Sequence, residues 1–222
     1  MTFKQRAITS TQKEERRQEI IDSAYSLFQN NNYNSLSMAQ IAKHAGIAKG
    51  TTFLYFKTKE ELFLALASQE YNRCFRDINA GLDRYLDLKK ACPIEGFIDI
   101  LQIALIQNQI LLRLIAIISV ILEQNITYAN ARQFKFMLSK EIEQTSAILE
   151  KAMPFLRRGE GKLLLLQIQV LSIGIQHLSD PAPIVKQVIA EDNHLAMFHV
   201  DFTSFFIETV RAILKGFEAR RD

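Results

Sequence analysis

A chain of 222 residues, 48% of them hydrophobic, can bury a core without metal or disulfide staples and is too short for three ordinary domains. Its two cysteines, Cys74 and Cys92, and its polar opening "MTFKQRAITSTQKEERR", which lacks a signal-like apolar segment, point to free thiols in a reducing cytoplasm. The net charge of +3 is unevenly placed: residues 1–60 carry nine Lys/Arg against five Asp/Glu and the remainder 18 against 19, so a polyanion would be met by the N-terminal quarter.

Apolar residues recur at intervals of three and four almost everywhere, and alternating strand patterns are scarce, so the chain reads as all-α. Thr11-x-x-Glu14 has the form of a capping box, and Ile20, Ile21, Ala24, Leu27 and Phe28 follow on one face of a first helix that ends in "QNNNYN". Ser37 with Gln40 is a second capping box, flanked by Leu36 and Ile41 as a hydrophobic staple. It predicts a helix beginning at Met38 and closed by Gly46.

The stretch that follows, "GIAKGTTFLYFKTKEEL", sets a glycine, paired threonines and three aromatics between Lys49 and Lys57, so the short helix it predicts over 48–56 needs tertiary support. Thr58-x-x-Glu61 then opens a long helix with a break expected near Gly81. Further helices are predicted over 94–107, 110–123, 130–152, 162–178 and 199–218. Pro181 and Pro183 suggest a connecting loop, holding at most a short helix, between the last two. The apolar stretches "ILLRLIAIISVIL" and "LLLLQIQVLSIGIQHL" fall short of the roughly 20 residues of a membrane span and contain Arg113, Gln167 and Gln169; they read as buried helices, with no membrane partner.

A capped helix, a glycine turn and a second short helix across 37–56 have the spacing of a helix-turn-helix, whose second helix enters the DNA major groove. Gly50 and Thr51 let backbone approach DNA, while Lys49, Lys57 and Lys59 supply phosphate-neutralising charge. Phe56, with parts of Ile47 and Phe53, is expected to pack against Phe28, Ile41, Ala45 and Leu62.

Together, "RRQEIIDSAYSLFQNNNY" and "SLSMAQIAKHAGIAKGTTFLYFKTKEEL" resemble the DNA-binding domain of the TetR (tetracycline repressor) family of transcriptional regulators. The resemblance implies a helix-turn-helix domain over 1–60 and a larger helical ligand-binding and dimerisation domain over 61–222. It implies double-stranded DNA, a small-molecule effector and a second copy of the chain as partners, and no cofactor. It places Ser37 near a phosphate, Lys49, Gly50 and Thr51 in the groove, Tyr55 at its edge and Lys59 on the DNA backbone, with Thr52, Phe53 and Lys57 completing the candidate surface. Three positions depart from the family pattern: Ala48 replaces a serine cap, Thr52 an aliphatic residue, and Phe53 a tyrosine whose hydroxyl commonly binds phosphate.

In the C-terminal part, helix 162–178 is apolar nearly all round and the last helix has a wide apolar surface. A two-fold four-helix bundle would cover the excess, with Leu164, Ile168, Leu171, Ile175, Phe202, Phe206, Val210, Ile213 and Phe217 at the seam. Gln102, Gln107, Asn108, Arg113, Glu123, Gln169 and His177 interrupt apolar helices and are candidates to orient a hydrophobic effector.

Enzyme readings find no phosphate loop, nucleophile elbow or metal spacing among the four histidines, 44, 177, 194 and 199. The competing reading is a helical adaptor or lipid-binding protein whose helix-turn-helix is purely structural. A salt-sensitive shift of duplex DNA separates the two.

Overall fold

The computed structural model describes residues 10–221, and its elements are helical throughout. Lys4 and Arg6, part of the N-terminal charge excess, lie outside the described residues. Ten α-helices follow in order: α1 Ser10–Asn30, α2 Met38–His44, α3 Lys49–Thr52, α4 Lys59–Asp87, α5 Ile94–Leu101, α6 Gln109–Ile118, α7 Tyr128–Ala152, α8 Glu160–Ser179, α9 Pro183–Glu191 and α10 Phe202–Glu218.

The clearest local signals produce the expected structure. Ser37 Oγ accepts from Gln40 N at 3.3 Å while Gln40 Oε1 accepts from Ser37 N at 2.8 Å, so both arms of the box close at the start of α2. Gly46 ends that helix at φ +66°, a left-handed conformation glycine adopts without steric cost. Thr58 Oγ1 accepts from Glu61 N at 3.1 Å and caps α4, but the second arm of that box does not close, since Glu61 Oε2 accepts from Lys57 N at 2.9 Å instead of from Thr58 N.

Other expectations are corrected. Thr11 lies inside α1 and is not its cap. The helix predicted over 48–56 is one turn, Lys49–Thr52, followed by a turn through Phe53–Tyr55. No side chain caps α3, as Ala48 in that place requires. Helix α4 continues unbroken through Gly81, because the missing side chain admits α5: a Cβ there would stand 2.7 Å from Ile100 Cγ1. Helix α6 stops at Ile118, and Gln124 Nε2 donates to Ser119 O at 3.2 Å to cover the end. Pro183 sits at the start of α9, where its lost N–H costs nothing.

Helix α4 is the central strut. Its first half packs on α1, and along its length it meets α5, α6 and α7; α8 closes over α6 and α7, and α10 lies on α8 and α5. One apolar core runs through the whole, from Ile20, Phe28 and Phe63 to Leu111, Leu164 and Leu214. Between α5 and α6 the segment Gln102–Ile106 widens into a π-helix and the chain bends by 76°.

No single helix among the described residues is long and apolar enough to cross a membrane. Cys74 and Cys92 are free and buried, and burial pushes their thiols up to about 12 and about 11, so both stay protonated near neutrality.

The packing of α10 on α8 corrects the expected dimer seam. Leu164, Ile168, Ile175, Phe206, Val210 and Phe217 are all buried inside one chain, while Leu171, Phe202 and Ile213 are half-buried. The exposed apolar stripe is displaced around each helix, to Leu163, Leu166 and Val170 on α8 and Phe205 on α10. Both flanks of each helix are apolar, so composition could not say which one the chain itself would cover.

Candidate nucleic-acid interface and central cavity

Helix α3 is held by what lies beneath it. Thr52 is fully buried and its hydroxyl donates to Lys49 O at 2.6 Å; Phe56 is buried under the Arg17 guanidinium, 5.0 Å above its ring. A helix of four residues with poor propensity is thereby anchored by tertiary contacts. Thr52 is accordingly removed from the candidate DNA surface: no atom of it reaches solvent.

Lys59 is also reassigned. Its ammonium donates to Tyr33 O and Leu36 O, each at 2.9 Å, and lies 3.8 Å from the centroid of the Tyr33 ring. Two of its three N–H groups are thus used to hold the α1–α2 connection, and burial lowers its pKa while neighbouring Glu60 partly opposes this. Tyr33 donates to Glu60 Oε1 at 2.8 Å and stacks edge-on against Phe63, completing this joint.

The other candidates remain on the surface. Ser37, Lys49, Gly50, Phe53 and Lys57 are exposed, Thr51 is half-exposed, and Tyr55 is half-buried beside a cleft shared with Arg17 and Gln69. No side chain stands within 4 Å of where a Gly50 Cβ would lie, leaving the backbone open to an approaching duplex. Leu54, at 77% exposed, was missed from sequence. The turn after α3 points this apolar side chain outward. Lys43, exposed at the end of α2, adds positive charge to the same end of the molecule.

Behind this surface lies a cavity of about 460 Å³ walled by α4, α6, α7 and α8. Tyr71, Cys74, Phe75 and Ile78 form one face, at the i, i+3, i+4, i+7 spacing of a helix stripe; Leu111, Ile115 and Ile118 form another. Phe134, Leu138 and Ile142 face Leu165, Ile168, Gln169 and Ser172. Gln169 Nε2 donates to the Tyr71 hydroxyl at 2.7 Å, and Lys135 Nζ donates to Glu123 Oε1 at 2.6 Å.

Of the seven polar candidates from sequence, only Glu123 and Gln169 line this cavity. Asn108 is used structurally, accepting from Leu111 N and donating to Glu70 Oε2; Gln107 shares a separate surface cleft with it, and Gln102, half-buried in the π segment, lines neither. Arg113 and His177 border another cleft beside α1. The residues missed, Tyr71, Cys74 and Ser172, sit within helical stripes indistinguishable from solid core when read in one dimension.

Gln69 of α4 donates to Gln18 of α1 at 2.6 Å, and two further elements of the cavity wall reach the N-terminal part. Arg113, on α6, donates to Phe28 O at 2.7 Å and Asn31 O at 2.6 Å. Asn125, two residues beyond Glu123, accepts from Thr58 Oγ1 at 3.0 Å and donates to Glu60 Oε2 at 3.4 Å.

A helix-turn-helix head presents an exposed, cation-flanked second helix and is mounted on a hollow helical body. The chain belongs to the TetR family: residues 20–66 match the family model "Bacterial regulatory proteins, tetR family" and residues 68–221 the model "Tetracyclin repressor-like, C-terminal domain". Similar curated proteins include the fatty acid metabolism regulator protein of Bacillus subtilis, 39% identical over 59 residues, a match covering 27% of this chain and 30% of the relative. The HTH-type transcriptional repressor KstR of Rhodococcus jostii is 30% identical over 66 residues, covering 30% and 31%. The chain thus spans about a third of the length of these curated relatives. Across the whole fold, a putative TetR-family transcriptional regulator from Mesorhizobium loti superposes with a TM-score of 0.56 at 19% identity, covering 93% of this chain and 96% of that one.

Proposed function

We propose that the protein is a cytoplasmic homodimeric repressor that holds a two-fold operator through its paired heads and lets go when a small, largely apolar molecule fills the central cavity. The reading assigns residues 1–60 to the head and 61–222 to the effector and dimer body, with α4 shared, and it includes no catalytic step. The observation that carries it is the pair of hydrogen-bonded struts, Arg113 to the end of α1 and Asn125 to the start of α4, each on an element that also lines the cavity. A ligand that shifts α6 or the Leu122–Asn125 turn shifts the head with it. Repression is the habit named for the Rhodococcus relative. The dimer is assigned to the exposed apolar residues Leu163, Leu166 and Val170 on α8 and Phe205 on α10, which a second copy would cover.

Selection of tight binders from a random duplex pool tests the reading. Enrichment of an inverted repeat supports it, since a two-fold protein reads two half-sites. Recovery of no preferred sequence, with affinity insensitive to salt, would return the helix-turn-helix to a structural role.

A further inference from the structure

The charges lining the central cavity cancel each other. Among the described residues Lys135 is the only cation along its wall and Glu123 the only carboxylate, and the two pair at 2.6 Å. An anion carried into the chamber would lie unpaired among apolar side chains, because Lys135 stands at its solvent-exposed mouth, 60% exposed, and is already taken by Glu123; a cation meets the mirror-image problem, since Glu123 is at the same mouth and already paired. Deeper polar capacity is modest: Ser172 Oγ already spends its proton on Ile168 O at 2.8 Å and can only accept, so the Tyr71–Gln169 pair supplies the donors. Between them a phenol and a primary amide offer both donors and acceptors, so an incoming oxygen exchanges one hydrogen bond for another. Burial holds the Tyr71 phenol far above its ordinary pKa, keeping it a neutral donor, and Cys74 beside it remains a thiol, unsuited to covalent capture.

Building on the reading of this cavity as the effector site, we propose that the effector is an uncharged molecule with an apolar body and one hydrogen-bonding oxygen, of the class of a medium-length alcohol, ketone or ester. Its oxygen rests against Tyr71 and Gln169, and its body lies along Phe75, Ile115 and Leu138. The corresponding carboxylic acids, ionised at neutral pH, are excluded by the Lys135–Glu123 pairing.

Three probes of equal chain length, 1-decanol, decanoate and decylammonium, titrated into the full-length protein below their micelle-forming concentrations at neutral pH, test this. The expected result is binding of 1-decanol at least about tenfold tighter than of either ion, because only the ions bury an unpaired charge. Tyr71→Phe and Gln169→Leu should each weaken 1-decanol severalfold with unchanged far-ultraviolet circular dichroism. Glu123→Gln, a change at a partly exposed position that frees Lys135, should bring decanoate binding up toward that of 1-decanol. Decanoate binding the unaltered protein as tightly as 1-decanol would overturn the charge exclusion and leave the cavity as the effector site. Indifference of 1-decanol to both cavity variants would overturn the assigned seat. Binding of none of the three would remove the effector reading of the cavity itself.

Discussion

The guanidinium of Arg113 reaches from the middle of α6 to the end of α1, donating to Phe28 O and Asn31 O while lying 4.2 Å above the Phe28 ring. One side chain thus caps the unsatisfied carbonyls of the first helix and covers its last aromatic. Its neighbours Leu111 and Ile115 face the cavity.

Arg113→Met is therefore expected to leave the fold and ligand binding in place while loosening the link between them. Stability should fall by about 1.5–3 kcal/mol, the range for hydrogen bonds made by a charged group. The ratio of DNA affinities with and without effector should collapse toward one, against a typical coupling of about 1–3 kcal/mol. Urea unfolding and duplex titrations with and without 1-decanol measure the two effects separately; a variant with undiminished coupling would remove Arg113 from the route.

Lys59 and Lys57 should behave differently although they are two residues apart. Lys59→Met removes the support under Tyr33 and Leu36, so melting temperature drops while the dependence of DNA affinity on salt keeps its slope. Lys57→Ala, at an exposed position, should spare stability and flatten that slope by about one unit if Lys57 meets phosphate. Affinities across a salt series, paired with thermal melts, resolve the two roles.

Base reading is expected from Lys49 and Leu54, the exposed positions in and just after α3. Alanine at either should cost about 1–3 kcal/mol on the selected operator and much less on random duplex. Phe53→Tyr should tighten binding to both kinds of duplex, because a phenol restores one phosphate hydrogen bond without touching bases. Side-by-side titrations on the two duplexes would show whether either effect is absent.

The two flanks of α8 make opposite forecasts. Val170→Glu, on the exposed stripe, should give a folded chain that sediments as a monomer at micromolar concentration. Ile168→Glu should instead unfold the chain, since it buries a carboxylate among α6, α7 and α8 at a cost of at least about 3 kcal/mol. Sedimentation combined with circular dichroism decides between them, and a wild-type monomer would end the dimer assignment.

Alkaline pH gives a further check. The Cys74 thiol ionises near 9.0 when unfolded and is pushed up to about 12 by burial, so the folded state holds its proton longer. Its contribution is complete below pH 9 and is lost as pH rises toward 12, because ionisation then favours the unfolded chain. Unfolding free energy should decline across that window, and less steeply in Cys74→Ala. Reaction with iodoacetamide at mildly alkaline pH should be slow until denaturant is added.

The amino-acid sequence determined the local events by itself. Ser37, Gln40, Gly46 and Thr58 place helix ends through contacts spanning three or four residues, and such contacts are available before any tertiary structure forms. That is why the helix-turn-helix, the all-helical class and the family were legible from a line of text. What the tertiary structure decided is which of several equivalent faces each helix turned inward. Thr52 and Leu54 exchange the roles their side chains suggest, because a single turn of helix packed on Phe56 points one in and the other out. Lys59 became a strut because Tyr33 and Leu36, far from it in sequence, bring two carbonyls to its ammonium. On α8 the buried Ile168 and the exposed Val170 are both β-branched and apolar, and only the arrival of α6, α7 and α10 distinguishes them. The cavity follows the same rule: Tyr71 and Gln169 are 98 positions apart, and a void between helices leaves no mark in a pattern that records only which residues avoid water.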